Sequence, residues 1–265
     1  MPDDDKASTG NATSAAAPAE IHEVIRRAGE DDLSRHSGAV ALSGLAAGLS
    51  MGFSFLAMAL IRAALPDTEW RILLSGFGYS LGFLIVVLGR QQLFTETTLT
   101  AVLPVLSSRD WAVVPTLLRY WAVVLVTNLV GTALFALLIC HEALFQPAIW
   151  DALGGVAAEA MRDSFWPMLV KSVLAGWLIA LMVWLLPGSG SARMFVILVL
   201  TYFVAIGHFS HAVAGSVEAA FAVFTGHVAP LAYLTHFLVP TVIGNTLGGV
   251  ALVALLNHAP LAAEA

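Results

Sequence analysis

Charged side chains are scarce in this chain. Asp, Glu, Lys and Arg make up 11% of its 265 residues against 58% hydrophobic, and an ordinary soluble domain carries about a quarter. A soluble fold is therefore excluded, and no basic patch is available to hold nucleic acid. Cysteine is represented by Cys140 alone, so no disulfide framework can form within one chain, and the redox compartment stays open. Phosphate-cradling glycine loops are absent. His208, His211, His227 and His236 show no spacing of a metal ligand set, so no metal and no cofactor are expected. A secretory signal is not expected either, because the first apolar run begins near Ala39 and is long enough to be a full span.

What remains is an all-α membrane protein with about six spans of roughly 20 residues. Residues 1–19, rich in Ala, Ser, Thr and Asp, predict a disordered tail. In residues 20–36, Ile21, Val24, Ile25, Ala28 and Leu33 recur at helical spacing among charges. This predicts an amphipathic helix, lying at the membrane surface or packed on the protein. Much of the net charge of −6 sits in these segments, in Asp3, Asp4, Asp5, Glu20, Glu23, Glu30, Asp31 and Asp32, and names no partner. Residues 37–258 form the membrane domain and 259–265 a short C-terminal tail.

The first span covers residues 38–65, with Gly44, Gly48 and Gly52 on one face for close helix packing. The second covers 72–106 and is interrupted by Arg90-Gln91-Gln92 before Leu93-Phe94-Thr95-Glu96. The third covers 111–139, with Trp111, Tyr120 and Trp121 as interface markers. An aromatic and small-residue loop follows over 141–163, then a fourth span over 165–186. The fifth covers 193–225 and is interrupted at Gly207-His208-Phe209-Ser210-His211. The sixth covers 232–256. A broken helix at membrane depth is tolerable where the break is buried in protein or lines a cavity. The other reading of the first break is a loop between short helices outside the membrane.

Breaks in the second and fifth spans divide the chain into two halves of three. Ser43-Gly44-Leu45-Ala46 resembles Ser172-Val173-Leu174-Ala175, and Asn128-Leu129-Val130-Gly131 matches Asn245-Thr246-Leu247-Gly248. Three spans per half is an odd number, which implies inverted repeats whose broken helices meet near the midplane. With Lys6, Arg26, Arg27, Arg35, Arg109 and Arg193 on one side and Arg62, Arg71 and Arg162 on the other, the positive-inside rule places both termini in the cytoplasm.

Tyr79-Ser80-Leu81-Gly82, Leu93-Phe94-Thr95, the break at Gly207 to His211, and Ile243-Gly244-Asn245-Thr246-Leu247-Gly248-Gly249 together resemble the formate/nitrite transporter family over residues 20 to 258. The run from Arg90 to Glu96 is closest to its YfdC-like branch. The resemblance implies an aquaporin-like fold, a homopentamer in the bacterial inner membrane, and a path for a small monovalent weak-acid anion through each protomer. It places His211 at the midpoint of the path, hydrogen-bonded to Thr95, with His208 as the weaker candidate. Tyr79, Phe83, Leu93, Phe94 and Phe203 fall at constriction or pore-lining positions, and Asn245 in the sixth-span motif.

Physical chemistry supports a central histidine. A bare anion pays heavily for desolvation and a neutral acid far less, while imidazole exchanges its proton near neutral pH. The plainer reading is a core histidine holding the broken helix together. Departures from the family pattern also matter. Ala160 stands where the family has a vestibule lysine, and Gly176 where it has a partner asparagine. Arg90 and Glu96 either pair and clamp the break, or Glu96 faces the inner vestibule and disfavours anions. Lys171 either replaces the lost cation or snorkels to the interface. The lost lysine leaves an alternative: a pore for a small neutral solute, or a structural or regulatory homologue. Ser210 beside His211 lacks the oxyanion features of a catalytic dyad, so an enzyme is not expected.

Overall fold

The computed structural model describes residues 17–108 and 111–254, and among them there is no β-strand. The expected tail at 259–265 and residues 1–16 of the tail expected over 1–19 lie outside the described residues, while Pro18 and Ala19 of that expected tail are helical. The first helix, α1 (Pro18–Ser34), begins at a proline, whose fixed φ suits the first helical turn. Glu23 bridges Arg26 at 2.7 Å and Arg27 at 2.6 Å on its exposed face. Those two guanidinium groups hold the Glu23 carboxyl down to about 2. The opposite face buries Ile25 and Gly29. A Cβ at Gly29 would meet the Thr100 carbonyl oxygen at 2.0 Å, so α1 is packed on the protein itself.

Helices α2 (Ser37–Ala64), α3 (Arg71–Leu88), α6 (Val114–Ile139, entered through Trp111–Val113) and α8 (Phe165–Leu185) are long and apolar enough to cross a membrane. Shorter helices complete the body: α4 (Phe94–Thr100), α5 (Val102–Ser108), and the apolar α9 (Arg193–Ile206) and α10 (Ala214–Phe224). The last helix runs over residues 230–254 and includes widened π turns at Tyr233–Leu238 and Gly248–Ala254. Pro240 lacks an N–H, so the His236 carbonyl cannot be bonded in the regular ladder, and the adjoining wide turn accommodates that gap. The stretch 141–163, expected as a loop, contains α7 (Pro147–Ala160). Pro147 opens this helix, and Leu153, Val156 and Ala157 bury one of its faces.

Glycines set the spacing of α2 and α6. A Cβ on Gly48 would meet the Asn128 carbonyl oxygen at 2.1 Å, and one on Gly52 would meet the Phe135 ring at 2.1 Å. The same contact recurs between α8 and the last helix, where a Cβ on Gly176 would meet the Asn245 carbonyl oxygen at 2.3 Å. Gly176 is therefore a helix-crossing residue. Tyr120, expected at the interface, is buried and donates to Gln92 at 2.5 Å.

The two breaks are built alike. α3 ends through Arg90 at φ 51° and α9 through His208 at φ 50°. Each left-handed non-glycine residue costs about 1–3 kcal/mol. In return, the Gln91 and Phe209 N–H groups close back on the Val86 and Val204 carbonyls, both at 3.0 Å, satisfying helix-end acceptors. An asparagine from a neighbouring helix then holds each restart. Asn128 Oδ1 accepts the Phe94 N–H at 2.9 Å, while its Nδ2 donates to the Gln92 and Gly44 carbonyls at 2.8 and 2.7 Å. Asn245 Oδ1 accepts the Ala212 N–H at 2.8 Å, while its Nδ2 donates to the Ser210 and Ser172 carbonyls at 3.0 and 2.8 Å. Gly44 thus corresponds to Ser172, one residue out of register with the sequence match that set Ser43 opposite Ser172.

Replacing either asparagine strands two buried backbone groups of the break at about 1–3 kcal/mol each, since the Gly44 and Ser172 carbonyls lie within α2 and α8 and keep their helical partners. Asn128→Ala and Asn245→Ala should each lose at least about 2 kcal/mol of stability, read as a large drop in thermal midpoint in detergent, while Ser189→Ala in a turn leaves the midpoint in place. A midpoint unmoved in both asparagine variants contradicts their role as pins.

Candidate functional site

The restarts after the two breaks bring Thr95 and His211 together. His211 is 1% exposed, and its Nε2 lies 2.6 Å from Thr95 Oγ1. Its Nδ1 accepts the backbone N–H groups of Val213 at 3.2 Å and Ala214 at 3.1 Å. A ring nitrogen that accepts two donors carries no proton of its own. The imidazole is thus the Nε2–H tautomer, donating to Thr95, and the first turn of α10 fixes that tautomer. Phe83 stands edge-on to the ring at 5.0 Å, and Tyr79 packs on Phe83 at 5.2 Å. Leu93 and Phe94 are buried beside Thr95 in sequence, with Phe94 against Trp121 at 6.1 Å.

A cavity of about 80 Å³ opens on His211, several times the roughly 10–15 Å³ one water needs. Tyr79, Val204, His208, Ser210, Gly215 and Glu218 line its depth. Arg62, Glu159, Ala160, Arg162, Asp163 and Lys171 surround it from α2, α7, α8 and the turn between α7 and α8. Arg62, in the last turn of α2, is buried and grips Glu159 with both terminal nitrogens at 2.8 Å, tying α7 across the cavity. Lys171 faces the cavity, paired with Asp163. Ala160, where the resemblance leads to the expectation of a cation, reaches the same space.

The α1 side of the first break is also polar. Gln92 accepts from Tyr120 and donates to Asp32 of α1 at 2.7 Å, and its backbone N–H donates to Ser43 at 3.1 Å. Burial pushes the Asp32 carboxyl up, while the hydrogen bond from Gln92 opposes that shift. Glu96 points an oxygen inward with no hydrogen-bond partner among the described residues.

Two sequence expectations need correction. Arg90 and Glu96 do not pair: Arg90 is exposed and Glu96 is turned into the interior, so the left-handed turn sends the two side chains apart. Phe203 does not line the cavity. It is 53% exposed, because α9 turns Ile197, Thr201 and Val204 inward and leaves Phe203 on the outer face. Val204 takes the inner position, and Asn245 is a backbone pin that lies outside the cavity lining. The sequence reading missed Glu218 and the Arg62–Glu159 pair. A glutamate inside the apolar run from Ala214 to Phe224 was the available signal for the first.

Membrane-length apolar helices, paired breaks and a cavity ending on a buried histidine define a membrane-embedded helical protein of the channel or transporter type. The chain belongs to the formate/nitrite transporter family, whose profile matches residues 19–259. It is 40% identical over 241 residues to the inner membrane protein YfdC of Escherichia coli K12, covering 91% of this chain and 78% of that one. It is 27% identical over 265 residues to the formate channel FocB of the same organism, covering 89% and 92%. Two solved structures share the fold. A pentameric formate channel with formate bound superposes with a TM-score of 0.72 at 19% identity, covering 85% of this chain and 98% of that one. An FNT family ion channel gives 0.74 at 22%, covering 92% and 96%.

The bidentate Arg62–Glu159 contact predicts a coupling of about 1.5–3 kcal/mol, the range for hydrogen bonds to charged groups. A double-mutant cycle with Arg62→Met and Glu159→Gln, followed by thermal unfolding, measures it. Additive losses would mean that the pair does not hold α7.

Proposed function

We propose that this protein is a channel or transporter for a small monovalent weak acid in the bacterial inner membrane, passing it together with a proton. The observation that carries the proposal is the 2.6 Å contact between Thr95 and His211, which ties the two broken helices together at the end of the cavity. In this reading the chain forms six spans as two inverted halves, α3–α5 and α9–α10 being the broken members. Five copies assemble, each with its own path. The near-identical asparagine pinning of both breaks supports the two halves. The outward Leu42, Phe53 and Leu60 of α2 and Leu134 and Leu138 of α6 supply apolar surface for lipid and neighbours. The pentamer itself is carried over from the formate channel of like fold. The membrane assignment follows the relative named as an inner membrane protein. Both termini are placed in the cytoplasm by the charge bias of the loops.

His211 acts here chiefly as a hydrogen-bond donor. With Nδ1 engaged by two backbone donors, the neutral ring offers the Nε2 proton, and a weak acid in the cavity competes with Thr95 for it. Full transfer to the solute requires the ring to be protonated first, which would displace the Val213 and Ala214 donors from Nδ1. The solute therefore reaches the histidine with its own proton, which also avoids the cost of desolvating a bare anion. A pore for a small neutral solute is the second reading, favoured by the matched Arg62–Glu159 and Lys171–Asp163 charges around the cavity.

Uptake of formate, acetate and nitrite into proteoliposomes, followed across a pH gradient, tests the role. His211→Ala should remove the protein-dependent uptake of whichever acid is carried. Thr95→Val, which costs one hydrogen bond of about 0.5–1.5 kcal/mol, should change it about two- to twelvefold. Uptake indifferent to His211→Ala for every acid would overturn the proposal.

A further inference from the structure

One titratable group on the cavity wall has no part in the framework or in the contact between Thr95 and His211. Glu218, on α10 two turns beyond His211, is 8% exposed and lines the same cavity. Its carboxylate forms no hydrogen bond and no ion pair with any described residue, although cations stand nearby. Arg62 is paired with Glu159, and Lys171 with Asp163. Arg162 is exposed, where water screens its charge. His208, Tyr79, Ser210 and His211 are the other polar groups around the space.

A buried carboxylate without a protein partner is costly unless something in the cavity satisfies it. With Arg62 and Lys171 already paired, and beside the donor groups of Tyr79, His208 and His211, the unpartnered acceptors shown to an entering solute are the Glu218 carboxylate oxygens. A free monovalent anion has no donor to offer them and meets repulsion from any negative charge on Glu218. A protonated acid or a neutral polar molecule brings an O–H or N–H that fills the empty acceptor.

We propose that Glu218 is the specificity-determining residue of this cavity, holding small solutes that carry a polarised O–H or N–H and turning back the free anion. The proposal rests on the reading of the protein as a small-solute channel or transporter, and it names the form in which the solute enters. Glu218 does not exchange protons with the solute in this scheme. It accepts a hydrogen bond on the way to His211.

The test uses the full chain in proteoliposomes with two probes in parallel. One is the current of formate anion at a pH where formate is almost wholly ionised, and the other is the flux of urea and of protonated formic acid, read by stopped-flow light scattering. Glu218→Gln keeps size and hydrogen bonding without the charge, Glu218→Met is a second neutral variant of similar volume, and Glu218→Asp keeps the charge. The ratio of anion current to neutral-solute flux should rise about tenfold or more in the Gln or Met variant that folds, and remain near the unmodified value in Asp. A purely structural role for Glu218 would lower both fluxes together. An unchanged ratio in both neutral variants, with transport still lost in His211→Ala, overturns the role of Glu218 and leaves the proposed function standing. Absence of flux for every probe with the unmodified protein overturns the proposed function and this inference with it.

Discussion

Opening a helix inside a membrane frees backbone donors and acceptors that lipid cannot satisfy, and meeting that demand organises the rest of this structure. Asn128 and Asn245 each meet it with one amide, accepting the first N–H of the restarted segment and donating to two carbonyls across it. The amides work because the helices lie nearly in backbone contact. A Cβ at Gly48 or Gly176 would strike the carbonyl of the asparagine residue itself. Helix spacing, amide pinning and the left-handed turns at Arg90 and His208 are therefore one constraint. Its product is the placement of Thr95 against His211.

The space on either side of that contact is finished differently. On one side, cations are absorbed into pairs with Glu159 and Asp163, and the interior face is left with an unpaired carboxylate. On the other, α1 docks through Gly29 and through Asp32 onto Gln92, whose backbone is already held by Ser43 and Asn128. The first helix is thereby coupled to the backbone of the break. Neither side presents a row of unpaired cations, which sets this chain apart from a simple anion trap.

Much of this was legible in the sequence because it rests on local patterns. Polar residues interrupting apolar runs located both breaks, and the repeated Asn-Leu-Val-Gly and Asn-Thr-Leu-Gly located the pins without revealing what they hold. Contacts between distant segments were not legible. Arg90 and Glu96 lie close in sequence, yet the left-handed turn between the helices separates them. Phe203 and Val204 are adjacent, and only the phase of α9 decides which faces inward. Arg62 and Glu159 lie 97 positions apart, and nothing local relates them until α7 folds over α2. The helix at Pro147–Ala160 was obscured by its small residues, which carry little periodicity.

The orientation of the His211 ring depends on the break geometry more directly than any other feature, since Nδ1 can accept the Val213 and Ala214 N–H groups only if α10 restarts where Asn245 holds it. Solid-state NMR of the protein in lipid with 15N-labelled histidine, with His211 assigned by its loss in His211→Gln, reads that orientation at neutral pH. A neutral ring with its proton on Nε2 is the predicted result. A proton on Nδ1 would contradict it, because the two backbone donors could not then point at that nitrogen, and the meeting of the two breaks at His211 would have to be built in another way.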